Sequence, residues 1–176
     1  MAIATYRPKT SISHHTLARF LAVSVQKHSC FPATAQGLSF YYKLITKASA
    51  PTKNIVLGML YMTKLRAIGS PLLREHPGDL LFTACLLLAY DILDDTPYNL
   101  KGWSIISNFP KHQISLVVRS ILCTLDYRLT IPPSTFNKYE SLLMKYVSAP
   151  TSAPYSHSPN LWCLPRREVI PYKNLF

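Results

Sequence analysis

Glycine is scarce in this chain, with five residues in 176. A fold built on many tight turns is thereby disfavoured, as is a glycine-rich loop that cradles phosphate. Long apolar runs are also missing. The longest strongly apolar stretch runs from Leu80 to Tyr90 and stops at Asp91, well short of the ~20 residues that cross a bilayer as a helix. Met1 to Lys9 carries basic residues but no apolar run follows, so no signal peptide is read there and a nuclear or cytoplasmic home is expected. Acidic residues number only eight. With so few carboxylates, no nucleophile motif and no Cys/His pair at defensible spacing, no catalytic residue and no cofactor are expected. Cys30, Cys85, Cys123 and Cys163 share no CxxC spacing, which argues against a zinc site or a disulfide framework. Cys85 and Cys123 lie in apolar helical text, where a thiol acts as a small hydrophobe. His14 and His15 are adjacent, so on a helix they point in different directions and read as a solvated pair rather than metal ligands.

What the chain does have is enough apolar material for one core: 48% hydrophobic residues against 15% charged. Nineteen Lys and Arg against the eight acids give a formal charge of +11, which favours acidic partners. The cations form no run, and Arg166-Arg167 is the sole adjacent pair. Charge therefore permits a nucleic-acid partner, but no polybasic or RNP-type segment supports one. Ser70-Pro71, Thr96-Pro97 and Ser158-Pro159 match a proline-directed phosphorylation pattern. Of these, Ser158 lies in the segment expected to be accessible.

Apolar periodicity predicts helices throughout. Residues 1–12 read as a flexible arm and 13–30 as an N-terminal helix with Ser13 as its cap. A helix from Ser39 to Ala48 follows, then one opened by Pro51-Thr52 and ended by Gly69-Ser70-Pro71. Within it, Gly58 costs about 1 kcal/mol relative to Ala, which fits either a close helix approach or a tolerated glycine. A polar loop is expected from Arg74 to Pro77, with Asp79 capping a helix from Leu80 to Asp94. That helix is apolar on nearly every side, so it should be the central one, surrounded by others. Thr96-Pro97 marks a turn, and a short helix from Leu100 to Ile106 carries Trp103 into the core. A long helix runs from Lys111 to Leu129, closed by Ile131-Pro132-Pro133. Ser134 then caps a last helix bearing Phe136, Tyr139, Leu142, Leu143 and Tyr146. Residues 147–176 are Pro- and Ser-rich and read as a flexible tail. The fold class is all-α.

The helix text resembles a known family. Tyr61-Met62-Thr63-Lys64-Leu65 is similar to the Tyr-Leu-Asp-Arg-Leu of the second helix of a cyclin box. Leu88-Ala89, Asp94-Asp95, Tyr98 and Trp103 fall at the spacing of that family's central stretch. Leu125-Asp126-Tyr127-Arg128-Leu129 resembles its Leu-Asp-aromatic-x-Leu closing, and the Phe136-to-Tyr146 helix its fifth helix. The resemblance covers residues 39–146 and is to the small, single-box Pho80-like cyclins of fungi. It implies a single five-helix cyclin box, here with an additional N-terminal helix, and a cyclin-dependent protein kinase of the Pho85-like class as partner.

The resemblance also implies where that kinase would dock. Asp91 stands where the family has Lys, and Val118 where it has the partnering Glu; together those two residues contact the kinase's regulatory helix. Ile92, Leu122, Tyr127 and Leu129 match the apolar part of the same face. The expected Asn before the Trp falls on Leu100, with Asn99 one place early. From composition alone Ile92, Leu122, Tyr127 and Leu129 each read as core residues first, Leu122 and Leu129 above all, and Tyr127 is the best candidate for partial exposure. Asp91, Asp94 and Asp95 crowd a helix end that already carries partial negative charge, so Lys101, Arg119 or Arg128 is expected to pair with them, or Asp91 to meet a basic group on the partner. A divergent adaptor that binds another protein without activating a kinase is the alternative these replacements leave open.

Overall fold

The structure, a computed structural model, describes residues 13–29, 37–94 and 99–148. Among them are eight helices and no strand: α1 (His14–His28), α2 (Gly37–Ala48), α3 (Thr52–Ala67), α4 (Leu72–Glu75), α5 (Gly78–Leu93), α6 (Leu100–Ser107), α7 (Lys111–Thr124) and α8 (Pro133–Ser148). The arm 1–12, Cys30, Asp95, Thr96-Pro97, Tyr98, Ser158, Cys163 and the rest of the tail beyond Ser148 lie outside the described residues. No described helix is long and apolar enough to cross a membrane.

The all-round apolar pattern of α5 puts it at the centre, as expected. Every residue from Leu80 to Tyr90 is buried, and α1, α3, α4, α6 and α7 all pack on it. Helix α3 is its principal neighbour, and Gly58 explains how closely the two cross. A Cβ at Gly58 would sit 3.3 Å from Leu86 Cα and 3.4 Å from Leu86 N, so the open choice between close approach and tolerance resolves to close approach. Gly78 plays the same part at the start of α5, where a Cβ would come within 2.9 Å of Ser29 Cβ and 3.0 Å of Val25 Cγ1 of the α1 end. Trp103 is fully buried, edge-on to Tyr90 at 5.4 Å, and Tyr90 donates to the Ala48 carbonyl at 2.9 Å. The short α6 is thereby locked to α5, and α5 to the end of α2.

Several boundaries differ from the sequence reading, each for a local reason. Proline replaces side-chain caps: Pro51, Pro77 and Pro110 are the N-cap residues of α3, α5 and α7. Asp79 therefore sits inside the first turn of α5 rather than capping it, and accepts a hydrogen bond from the Tyr41 hydroxyl of α2. Burial, and then that carboxylate, push the Tyr41 phenol well above its ordinary range. Ser13 is the N-cap residue of α1, but its side chain makes no capping bond. Ser134 lies within α8, where Phe136 N bonds back to Pro132 O at 3.0 Å. The expected polar loop from Arg74 contains the one-turn α4, because Leu72 and Leu73 are buried. Ser70 is buried too, and its hydroxyl takes the Leu72 N–H at 3.3 Å, which removes it as an accessible phosphorylation site. Helix α7 stops at Thr124 and not at Leu129, a difference that shapes the site below.

A candidate partner-docking site

The last turn of α5 leaves the core. Asp91, Ile92 and Leu93 are exposed there, Ile92 by 48% and Leu93 by 43%. The expected pairing of these carboxylates with Lys101, Arg119 or Arg128 is not what forms among the described residues. Asp94 instead accepts from the Asn54 side-chain amide of α3 at 2.8 Å, and Asn54 is buried. This tie offsets the unfavourable carboxylate at the helix C-terminus. Arg128 pairs with Asp126 at 3.3 Å on an exposed surface, an arrangement worth little in water. Asp91 makes no hydrogen bond or ion pair with a described residue, and partial burial raises its carboxyl above the usual range.

Beyond α7 the chain turns sharply. Tyr127 N bonds to Leu122 O at 2.9 Å and Asp126 N to Cys123 O at 3.1 Å, while Asp126 and Tyr127 both take left-handed backbone angles, φ 51° and 56°. Two successive non-glycine residues in that region cost roughly 1–2 kcal/mol each, so something must hold them. Helix α3 does. Lys64 Nζ donates to Arg128 O and to Thr130 O, both at 3.0 Å, and the Tyr61 hydroxyl donates to Leu129 O at 3.1 Å. Lys64 is buried, and desolvation pulls its amine down to about 8; burial pushes the Tyr61 phenol up. Three consecutive carbonyls are thus clamped to one helix, and the clamped turn carries Tyr127 outward with 68% of it exposed.

The clamp also builds a groove. A cavity of about 730 Å³ lies between α3, the end of α5, the turn and the first half of α8, lined by Leu57, Ile92, Leu93, Tyr127, Leu129 and Phe136 among others. Of the six residues the family resemblance places on that face, the structure brings Ile92, Tyr127 and Leu129 together in this groove. Asp91 stands beside it in the chain, at the exposed end of α5. Val118 and Leu122, one turn apart on α7, are half-buried against the core and do not line it. Sequence reasoning missed the Lys64–Tyr61 clamp and the exposure of Leu93. One signal for the clamp was present: a lysine within the apolar text of α3 must find acceptors if it is buried. Leu116 and Ile105, exposed by 59% and 66%, were likewise not anticipated, and nothing in their pattern marks them.

No family model matches this chain, and no solved structure matches it significantly. Two curated proteins do. PHO85 cyclin-5 of Saccharomyces cerevisiae is 32% identical over 150 residues, covering 83% of this chain and 59% of that protein. The G1/S-specific cyclin pas1 of Schizosaccharomyces pombe is 28% identical over 158 residues, covering 85% of this chain and 36% of that one. The chain therefore spans less than two thirds of the length of either relative. Their match takes in most of the helical region described above, around a central helix with the short Trp103 helix locked to it, and over that region the chain is similar to these two cyclins.

Proposed function

We propose that the chain is a cyclin-like regulatory subunit that binds a cyclin-dependent protein kinase of the Pho85-like class. The observation that carries this reading is the pairing of Ile92 and Tyr127 at an apolar groove beside the end of the central helix. Covering the part of Ile92 and Tyr127 that is still exposed, 48% and 68%, favours an interface by on the order of 1 kcal/mol each. Because the clamp from α3 fixes the turn beforehand, little ordering entropy is spent on docking. The relative named as a PHO85 cyclin supports the kinase class. Such a subunit supplies no catalytic group. It acts by binding the active arrangement of the kinase more tightly than the inactive one, which shifts the population toward it. A nuclear or cytoplasmic setting suits that role. Affinity purification of the tagged chain from its native cell, followed by a kinase assay, is the test: a co-purifying kinase whose activity depends on the chain is expected, and a complex containing no kinase overturns the reading.

A second reading rests on one specific observation. Asp91 is an exposed anion and Val118 a half-buried aliphatic where the family resemblance expects Lys and Glu. A cyclin-fold adaptor that binds a protein without activating a kinase is consistent with that replacement. The double variant Asp91→Lys, Val118→Glu separates the two readings. A large gain in kinase activation supports the adaptor, whereas unchanged activation shows that this chain docks without the polar pair.

A further inference from the structure

Charge is divided along this chain in a way its total conceals. The first acidic residue is Glu75, so all of α1, α2 and α3 carries cations with no carboxylate of its own. Protein surfaces ordinarily intersperse the two signs. On α2 the consequence is local and visible. Lys43 and Lys47 are exposed and lie one turn apart, a like-charge spacing that destabilises a helix. The same helix carries Leu38 and Tyr42, also one turn apart, exposed by 38% and 43%. From α1, which packs along α2, the His15 ring meets Tyr42 edge-on at 6.4 Å. The exposed Ser39 and Thr46 lie between the two pairs on the helix surface, so the face of α2 runs from apolar through polar to basic, on helices that contribute nothing to the groove between α3, α5 and α8.

We infer that this α1–α2 face is a second docking surface, and that it takes an acidic segment of another protein whose carboxylates flank one or two apolar side chains. Charge complementarity selects the acidic chain. Carboxylates settle on Lys43 and Lys47, and the intervening leucine or aromatic side chain covers Leu38 and Tyr42. A phosphodiester backbone would use the lysines but gain little from Leu38, so the apolar stripe favours protein over nucleic acid. Electrostatic attraction of this kind acts mainly on the rate of encounter and on partner choice, and weakens with salt. Because the groove is built from other helices, the two surfaces can be filled together.

The test uses a fluorescein-labelled peptide, Gly-Glu-Asp-Leu-Asp-Glu-Phe-Glu-Asp-Gly, and fluorescence anisotropy with the whole chain at low and physiological salt. Binding is expected for this peptide and not for its Asn/Gln counterpart. Lys43→Glu with Lys47→Glu should weaken it roughly tenfold or more. Tyr42→Ser, which leaves every charge in place, should also weaken it, and circular dichroism confirms that each variant folds. The control reversal Lys138→Glu with Lys145→Glu, on exposed positions of α8, should change affinity far less. Equal loss from both reversals would mean attraction to net charge alone and overturns the inference. So does tighter binding of a duplex oligonucleotide than of the peptide, an unchanged affinity in Tyr42→Ser, or no peptide binding at low salt.

Discussion

At the proposed docking site Lys64 holds the turn and Tyr127 is the side chain the turn leaves exposed. Replacing Tyr127 by Ala should leave the fold intact, since the side chain is largely exposed, yet weaken binding of the proposed kinase partner by roughly tenfold to a hundredfold. Calorimetric titration with the purified kinase and a thermal melt measure the two effects separately. Lys64→Met should do both kinds of damage. It leaves the Arg128 and Thr130 carbonyls without their donor, lowering stability by roughly 1–3 kcal/mol in urea unfolding, and it frees the turn that positions Tyr127. His28 gives a pH signature of a different sort. It is buried between α1 and α3, with Nδ1 2.7 Å from Ser24 O and Nε2 3.4 Å from the Thr63 hydroxyl. Burial, opposed by the Ser24 bond and aided by Arg66 and Lys27, brings its pKa from 6.5 down to about 4. The folded state therefore refuses a proton that the unfolded chain accepts below 6.5. This contribution is complete above that pH and is lost as pH falls through the window to about 4, to a total on the order of 3 kcal/mol. Urea unfolding at intervals between neutral pH and about pH 4.5 should show the decline, and His28→Gln should flatten it.

Helix by helix, the chain announces its own layout where burial is the deciding force. The uninterrupted apolar text from Leu80 to Tyr90 identifies α5 as the centre, and Trp103 reads as core because a large aromatic in a short helix has nowhere else to go. What stayed hidden depends on partners far away in the chain. Asp79 has the composition of a cap, but Tyr41 claims its carboxylate from another helix. The end of α7 reads as helical through Leu129 because Leu125 and Leu129 keep the spacing, whereas Lys64 and Tyr61 draw the Arg128–Thr130 carbonyls away from any helical partner. Apolar periodicity cannot separate a groove-lining Ile92 from a core isoleucine. Gly58 shows the limit from the other side: the pattern allows two explanations, and only the crossing with α5 decides. Gly58→Ala, which raises helix propensity by about 1 kcal/mol in isolation, should nevertheless lower the melting temperature, because the added methyl meets the Leu86 backbone rather than a side chain that can swing aside. An unchanged or higher melting temperature would show that the two helices can separate at little cost.

Taken as a whole, the molecule is organised by α5, which five other helices touch, with α3 carrying α8 and the clamp on its far side. No group of helices is left with a core of its own, so unfolding should be all-or-none. In a Trp162→Phe background, fluorescence of Trp103 and far-ultraviolet circular dichroism should report the same transition, and displaced curves would reveal a separable part. The clamp on the turn after α7 bears on sequence tolerance. All three of its acceptors are main-chain carbonyls, at Arg128, Leu129 and Thr130, so the clamp recognises the path of the chain and not the identity of the side chains on it. Side chains at 128 and 130 can therefore be exchanged, and with them the charge and shape around Tyr127, while the same lysine and tyrosine go on holding the turn. A scaffold anchored in this way can be re-aimed at a different partner without being rebuilt.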